Sequence, residues 1–249
     1  MALVFVGGHS AGGTTATYAV DLTALTGGIA SAAAAGDVVV VNTAIGDNGD
    51  FAMAISTAGY TTVAELWADG SRDTNQLVAY KVLATAETSV VVVGSNNSLR
   101  GGTTIVHVWR GEDTTTVEDV IATTNTLIDT GYADPSSIQP ATTGAVILSL
   151  TASCVDSTPV AFTVPTDRTN IFQEINHGGS NRGCITTVGS TAWDGNGSFN
   201  PAALSGGEDT TQNTCAAVTM VLRPLIAAVS IAPGLVKLPR PYFRPQLLR

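Results

Sequence analysis

The feature that most constrains the fold is a series of short β-like runs, spaced about ten to fifteen residues apart and separated by turn-forming residues. The clearest run, residues 37–45, reads Asp-Val-Val-Val-Val-Asn-Thr-Ala-Ile and is followed by a turn at 46–50. The other runs lie at 51–56, 60–67, 76–83, 88–93, 103–110, 144–152, 160–164, 186–193 and 215–222. Such regular alternation of short strands and turns predicts an all-β fold, an antiparallel β-sandwich.

The composition agrees with this fold class. The chain has 249 residues, of which 35 are Thr and 26 are Gly, and 44% are hydrophobic. Disordered chains are poor in apolar residues, and helical proteins contain few β-branched ones, so both classes are excluded. The polar segment 114–139 is predicted to cross the body with at most one helical turn at 117–121. We find no internal repeat, and residues 1–222 are predicted to form one body.

From residue 223 the sequence changes character. Residues 223–249 contain five basic and no acidic residues, and five of the chain's ten prolines lie in the last 26 residues. Proline at this density removes backbone donors, which predicts an extended arm over 223–249. The arm is also apolar, so we expect it to lie in a groove of another surface. Its predicted docking residues are Lys237, Arg240, Tyr242, Phe243, Arg244, Leu247 and Arg249.

The net charge of −9 divides into −14 for residues 1–222 and +5 for the arm. An acidic body repels nucleic acid and anionic membranes, so neither is an expected partner. The N-terminus lacks the basic region of a secretory signal, and no apolar run approaches the ~18 residues of a membrane span. Three widely spaced cysteines, Cys154, Cys184 and Cys215, are predicted to be reduced core residues, with a single bridge left open.

The sharpest catalytic motif is Gly8-His9-Ser10-Ala11-Gly12, which matches the G-x-S-x-G nucleophile elbow. That elbow needs a strand before it, a helix after it and a parallel sheet beneath, and the motif begins too early for such a sheet. A glycine-rich turn is the favoured interpretation, and an esterase using Ser10 is the remote one. His107 is predicted to be a hydrogen-bonded structural residue of a strand, and His177 an exposed turn residue.

Two binding hypotheses remain from the residues. Trp67, Trp109 and Trp193, with Tyr60 and Tyr80, are either core anchors or a platform on which sugars stack. The segments 47–50 and 194–198 carry oxygen ligands suited to Ca²⁺, but Asp, Asn and Gly are also what ordinary turns require. No cofactor and no metal site is predicted.

The order of several short motifs resembles a family of proteins from tailed bacteriophages and prophages, many of them virion proteins. The motifs are Gly-Asp-Val-Val-Val-Val at 36–41, Gly-Tyr-Thr at 59–61, Tyr-Lys-Val at 80–82 and Val-His-Val-Trp-Arg-Gly-Glu-Asp at 106–113. Gly-Ala-Val-Ile-Leu at 144–148 and Val-Leu-Arg-Pro at 221–224 also have counterparts. The resemblance covers about residues 36–224 and implies a jelly-roll-like β-sandwich on a phage particle. It carries over no catalytic residues.

The expected function is therefore that of a non-enzymatic virion structural protein, in capsid decoration, a spike or a tail. It would be made in the bacterial cytoplasm, and its expected partners are other virion proteins and its own symmetry mates, a trimer by analogy with such assemblies. The alternative is a receptor-binding module that recognises a host-surface carbohydrate.

Overall fold

The computed structural model describes residues 2–15, 17–47, 49–70, 73–93, 101–128, 133–155, 159–178, 182–206 and 214–226. None of these residues is helical. Their strands are β1 (Val4–Gly13), β2 (Thr17–Asp21), β3 (Val38–Asp47), β4 (Ala54–Ile55), β5 (Thr61–Ala68), β6 (Asp73–Val82), β7 (Ser89–Val93), β8 (Gly102–Arg110), β9 (Thr123–Ile128), β10 (Val146–Val155), β11 (Phe162–Thr163), β12 (Thr169–Gly178), β13 (Arg182–Ala192), β14 (Ser205–Gly206) and β15 (Thr214–Leu222). The predicted all-β sandwich is confirmed.

The first eight strands form two packed antiparallel sheets. The larger sheet has the order β1-β8-β3-β6-β5, and the smaller has the order β2-β7-β4. β3 carries an unbroken valine run because both of its faces are covered. Val39 and Val41 pack in the cluster shared with the smaller sheet, whereas Val38 and Val40 face the other way. The order β1-β8-β3-β6 opposite β2-β7-β4 is that of a jelly roll, except that β5 pairs with β6 in the larger sheet.

Strands β9 to β15 repeat this arrangement. Their larger sheet has the order β12-β13-β10-β15-β9, and β11 pairs with β14 as β4 pairs with β7. When the strands of each larger sheet are numbered along the chain, both sheets have the order 1-5-2-4-3. An isolated bridge between Ala133 and Leu204 stands where β2 pairs with β7 in the first half. The body therefore consists of two units with the same topology.

Individual positions match between the two halves. Gly36 and Gly144 stand two residues before β3 and β10, with φ of 86° and 83°, a backbone region that favours glycine. Arg110 and Arg223 occupy the same register position at the ends of β8 and β15. The expectation of no internal repeat is therefore wrong at the level of the fold.

The repeat is hidden in the sequence because side chains at equivalent positions differ in chemistry. Asn42 of β3 corresponds in register to Leu150 of β10, and His107 of β8 corresponds to Met220 of β15. The strand order is shared, but the buried residues that fill each half are not.

The two larger sheets stack face to face. β1 lies against β12, β3 against β10 and β5 against β9, so the lateral order of one half is reversed in the other. A pseudo-twofold axis passing between β3 and β10 relates the two halves, as in a symmetric dimer. The shared core between the sheets includes Phe5, Val40, Ile105, Leu148, Val188 and Met220.

A buried polar seam crosses this interface. The Asn42 side chain donates from Nδ2 to the carbonyl oxygens of Thr151 (3.0 Å) and Thr187 (3.2 Å). Gln76 in turn donates to Asn42 Oδ1 (2.8 Å). Leaving a buried amide unpaired costs about 1–3 kcal/mol, so these bonds favour one registration of the first half on the second.

The cysteines differ from the predicted state. Cys154 and Cys184 stand directly opposite each other on β10 and β13 and are joined in a disulfide, with Cα atoms 4.4 Å apart. Cys215 is buried, and its Sγ lies 3.3 Å from Ser153 Oγ. The prediction of three reduced thiols is corrected to the single bridge that the sequence left open.

Candidate functional site

The G-x-S-x-G segment lies inside β1, which continues straight through it to Gly13. The described residues that follow contain no helix, so the strand-turn-helix of a nucleophile elbow is not formed. The favoured interpretation as a glycine-rich turn is also wrong, since the segment is extended and pairs with β8.

The same segment forms a packing surface. Alternate residues of a strand share one face, and here Gly8, Ser10 and Gly12 face β12. A Cβ added at Gly8 would lie 2.8 Å from the Phe172 ring, and one at Gly12 would lie 2.9 Å from Asn176 Cβ. Between them, Ser10 Oγ donates to Glu174 Oε2 (2.6 Å). The motif thus lets β1 approach β12 closely.

His107 is completely buried, and neither ring nitrogen has a hydrogen-bond partner among the described residues. Its ring centroid lies 4.9 Å from that of Phe5, 5.3 Å from that of Phe172 and 6.5 Å from that of Trp109. Burial lowers the pKa of His107 to about 3, so the ring is neutral. The expected hydrogen bond is absent within the described part of the chain.

The tryptophans do not form a common platform. Trp67 is 41% exposed and pairs with Asn75, at the end of the sheet where β3 finishes. Trp193 packs against a cluster that includes Ala145 and Ile147 and follows β13, at the end where β10 begins. β3 and β10 run in the same direction across the interface, so the two indoles lie at opposite ends. Trp109 is buried in the core.

Several predicted residues lie outside the described ranges. They include all seven docking residues: Lys237, Arg240, Tyr242, Phe243, Arg244, Leu247 and Arg249. The backbone of His177 belongs to β12 rather than to a turn, and its side chain is outside the described part. In the turn at 194–198, Asp194 Oδ1 accepts the Asn196 N–H (2.9 Å), which closes the turn.

Charged groups gather where β8 ends. Asp37 is fully buried and accepts two bonds from Arg110, 2.7 Å from Nε and 2.9 Å from Nη2. Glu112 is 2% exposed, and neither of its carboxylate oxygens has a partner among the described residues. Burial, with a further contribution from Asp37, raises the pKa of Glu112 to about 7.

Replacing Glu112 by Gln should stabilise the protein above neutral pH. The pKa of Glu112 is higher in the folded state than in the unfolded state, so the wild-type protein loses stability as the pH rises from about 4.5 through 7. The free energy of unfolding of the variant should exceed that of the wild type by up to about 3 kcal/mol at pH 8 and by little at pH 4. Urea unfolding of both proteins at the two pH values measures this, and equal differences at pH 4 and pH 8 would contradict it.

The C-terminal arm starts at this charged end. Asp113 N donates to Arg223 O (2.9 Å), Leu225 N donates to Gly111 O (2.8 Å), and Glu112 forms an isolated bridge with Pro224. The described chain then ends at Ile226, which is exposed. The backbone of residues 223–225 is thus hydrogen-bonded to residues 111–117, which connect the two halves.

A groove lies beside residues 223–226, where the arm begins. Its walls are β5 and residues 114–122, and it contains two adjoining hollows of about 540 and 420 Å³ that share Glu118. Tyr80 and Lys81 line the first hollow. Ile121, which is 91% exposed, lines the second. The helical turn expected at 117–121 is absent: Asp119 N donates to Val221 O, and Val117 O accepts from Arg223 N, both at 2.9 Å.

Two acidic residues, Glu118 and Asp119, line the groove. Residues 112–119 contain four carboxylates, Glu112, Asp113, Glu118 and Asp119, and no Lys or Arg. Arg223 Nε lies 4.0 Å from carboxylate oxygens of both Asp113 and Asp119. On the β5 side, Lys81 is paired with Glu87. Glu112 is buried and the Asp119 side chain is 1% exposed, so Glu118 is the carboxylate that the groove presents to a ligand.

Comparisons with protein-family models, curated proteins and solved structures find no match for this chain. Within the described ranges, no group of three or more His, Cys, Asp or Glu side chains is placed to hold a metal ion. No described segment forms a helix long and apolar enough to cross a membrane.

Proposed function

We propose that this chain is a non-enzymatic structural protein of a bacteriophage particle that assembles through its C-terminal arm. The motif resemblance points to phage virions, and the jelly-roll order occurs in viral capsid proteins. The same order serves lectins and enzymes, so the fold alone does not select this role.

The observation that supports the proposal is the point at which the arm leaves the body. Pairing with the body extends to Leu225, at the acidic junction of the two halves. The remaining residues, 227–249, contain four basic residues, no acidic residue and two adjacent aromatic ones. A segment rich in apolar, aromatic and basic groups suits anchoring in a partner's pockets and pairing with its carboxylates.

A chain that ends at Ile226 should fold but fail to join particles. The truncation removes no described contact of the body, so the thermal transition should stay within a few degrees of that of the full chain. Incorporation is measured by antibody detection in density-gradient bands from cells that produce the particle. We expect at least a tenfold loss relative to the full chain.

A second variant removes the positive charge of the arm without changing its length. Replacing Lys237, Arg240, Arg244 and Arg249 by Gln keeps all 249 residues and should also lower incorporation. Full occupancy by the truncated chain would overturn the proposed role of the arm.

A further inference from the structure

The two edges of the stacked sheets differ, although the pseudo-twofold axis relates them. At one edge, β1 lies against β12, and the Gly8, Ser10 and Gly12 face closes the contact. At the other edge, the counterpart of β1 is the shorter β9, preceded by the irregular residues 114–122. At this second edge, the irregular residues 114–122 leave an open groove beside β5.

The groove offers two kinds of contact. β5 is the edge strand of its sheet among the described residues, so its outer backbone groups can accept an added strand. Ile121 and Val63 supply apolar surface in the second hollow. On the opposite wall, Glu118 lines both hollows.

The direction of the chain argues against its own arm as the occupant. Val221 is bonded to Asp119, Arg223 to Val117 and Leu225 to Gly111, so the chain runs past the groove wall and away from it. To enter the groove, the same chain would have to reverse at Ile226. An arm that arrives from another molecule needs no such reversal.

We propose that this groove binds the C-terminal arm, residues 227–249, of a neighbouring copy of the chain. The inference rests on the proposed function, because it assigns the receptor for an assembly arm. The arm carries four basic residues, and Glu118 is the carboxylate that lines both hollows of the groove. Residues 234–238, Gly-Leu-Val-Lys-Leu, contain no proline and add a short strand to β5.

The geometry permits a closed assembly. An extended 23-residue segment spans about 70 Å at about 3.1 Å per residue, which is enough to reach across a second body. Each copy donates one arm and accepts one, so a ring of copies fills every groove.

Crosslinking of full-length chains tests the site directly. One copy carries Ile121→Cys in the groove, the other carries Phe243→Cys in the arm, and a bismaleimide joins thiols that lie close together. A crosslinked dimer should form when the two variants are mixed and then assembled, at a yield at least tenfold above that of either variant alone. The matched control is Ile171→Cys, an exposed isoleucine on β12 at the opposite edge, which should give no such band with Phe243→Cys.

A single chain that carries both cysteines reports on its own arm. If it crosslinks within one molecule at high dilution, the neighbouring-copy assignment is overturned. If the mixed copies crosslink through Ile171→Cys but not through Ile121→Cys, the arm docks elsewhere and the groove assignment is overturned.

The variant Ile121→Arg tests whether particle assembly requires the groove. It should lower particle incorporation at least tenfold, as deletion of the arm does, whereas Ile171→Arg should leave incorporation unchanged. If arm deletion abolishes incorporation and Ile121→Arg does not, the groove inference fails while the function stands. If arm deletion has no effect, the proposed function itself fails.

Discussion

Replacing His107 by Met should make the protein markedly more tolerant of acid. The neutral ring is buried among Phe5, Trp109 and Phe172, and burial lowers its pKa from 6.5 to about 3. The unfolded chain binds a proton below pH 6.5 and the folded chain does not. Wild-type stability should therefore fall by about 1.4 kcal/mol per pH unit between 6.5 and 3, and be unaffected by this group above 6.5.

Methionine is the matched replacement because the second half already holds Met220 at the equivalent position. Urea unfolding at pH 7.5 and 4.5 measures the effect. The wild type should lose about 2–3 kcal/mol more than His107→Met between these pH values. His107→Gln keeps a polar group that does not titrate, and should show the same weakened pH dependence. Parallel profiles for the wild type and both variants would show that His107 does not titrate in this way.

The fold class and the central strands could be predicted from the sequence because they bury both faces. β3, β6, β8, β10 and β15 carry continuous apolar or β-branched runs, and all lie in the interior of the larger sheets. Among the strands that the sequence predicts only in part or not at all, β2 and β14 belong to the small sheets, whereas β1, β9 and β12 are edge strands of the larger sheets. Their residues are glycine-rich or polar because one side of each strand meets solvent or a close neighbour.

The candidate groove could not be predicted, because it arises from a difference between two halves whose likeness the sequence conceals. The segment 114–139 is predicted to cross the body, but the structure bonds residues 117–119 to residues 221–223 and pairs β9 with β15. The width of the groove depends on how far these residues stand from β5, which no local pattern encodes. The acidic run at 112–119 is visible in the sequence. Its position beside residues 223–226, where the arm begins, is not.

The G-x-S-x-G motif shows why a catalytic pattern needs its structural context. The three residues that define it, Gly8, Ser10 and Gly12, are also those that a strand presents on one face. In this chain that face meets a bulky aromatic ring, a carboxylate and an amide of β12. Small side chains are required there for close packing, whether or not any chemistry occurs.

Replacing Gly8 by Ala should therefore destabilise the protein by about 2–3 kcal/mol. The added Cβ would lie 2.8 Å from the Phe172 ring, which is partly buried and lies beside the rings of Phe5 and His107. Gly49→Ala is the matched control, because its Cβ meets only Phe51, at an ordinary 3.5 Å. Both substitutions reduce the entropy of the unfolded chain equally, so the difference between them measures the clash.

A double-mutant cycle with Phe172→Leu identifies the partner of Gly8. Alone, Phe172→Leu should cost about 1–3 kcal/mol through the space it leaves. In the Gly8→Ala background the smaller side chain relieves the clash, so the two costs should fall short of additivity by about 1–2 kcal/mol. Urea unfolding of the wild type, the two single variants and the double variant gives the coupling. Additive costs, or a Gly8→Ala effect no larger than that of Gly49→Ala, would show that the motif does not serve the packing of β1 on β12.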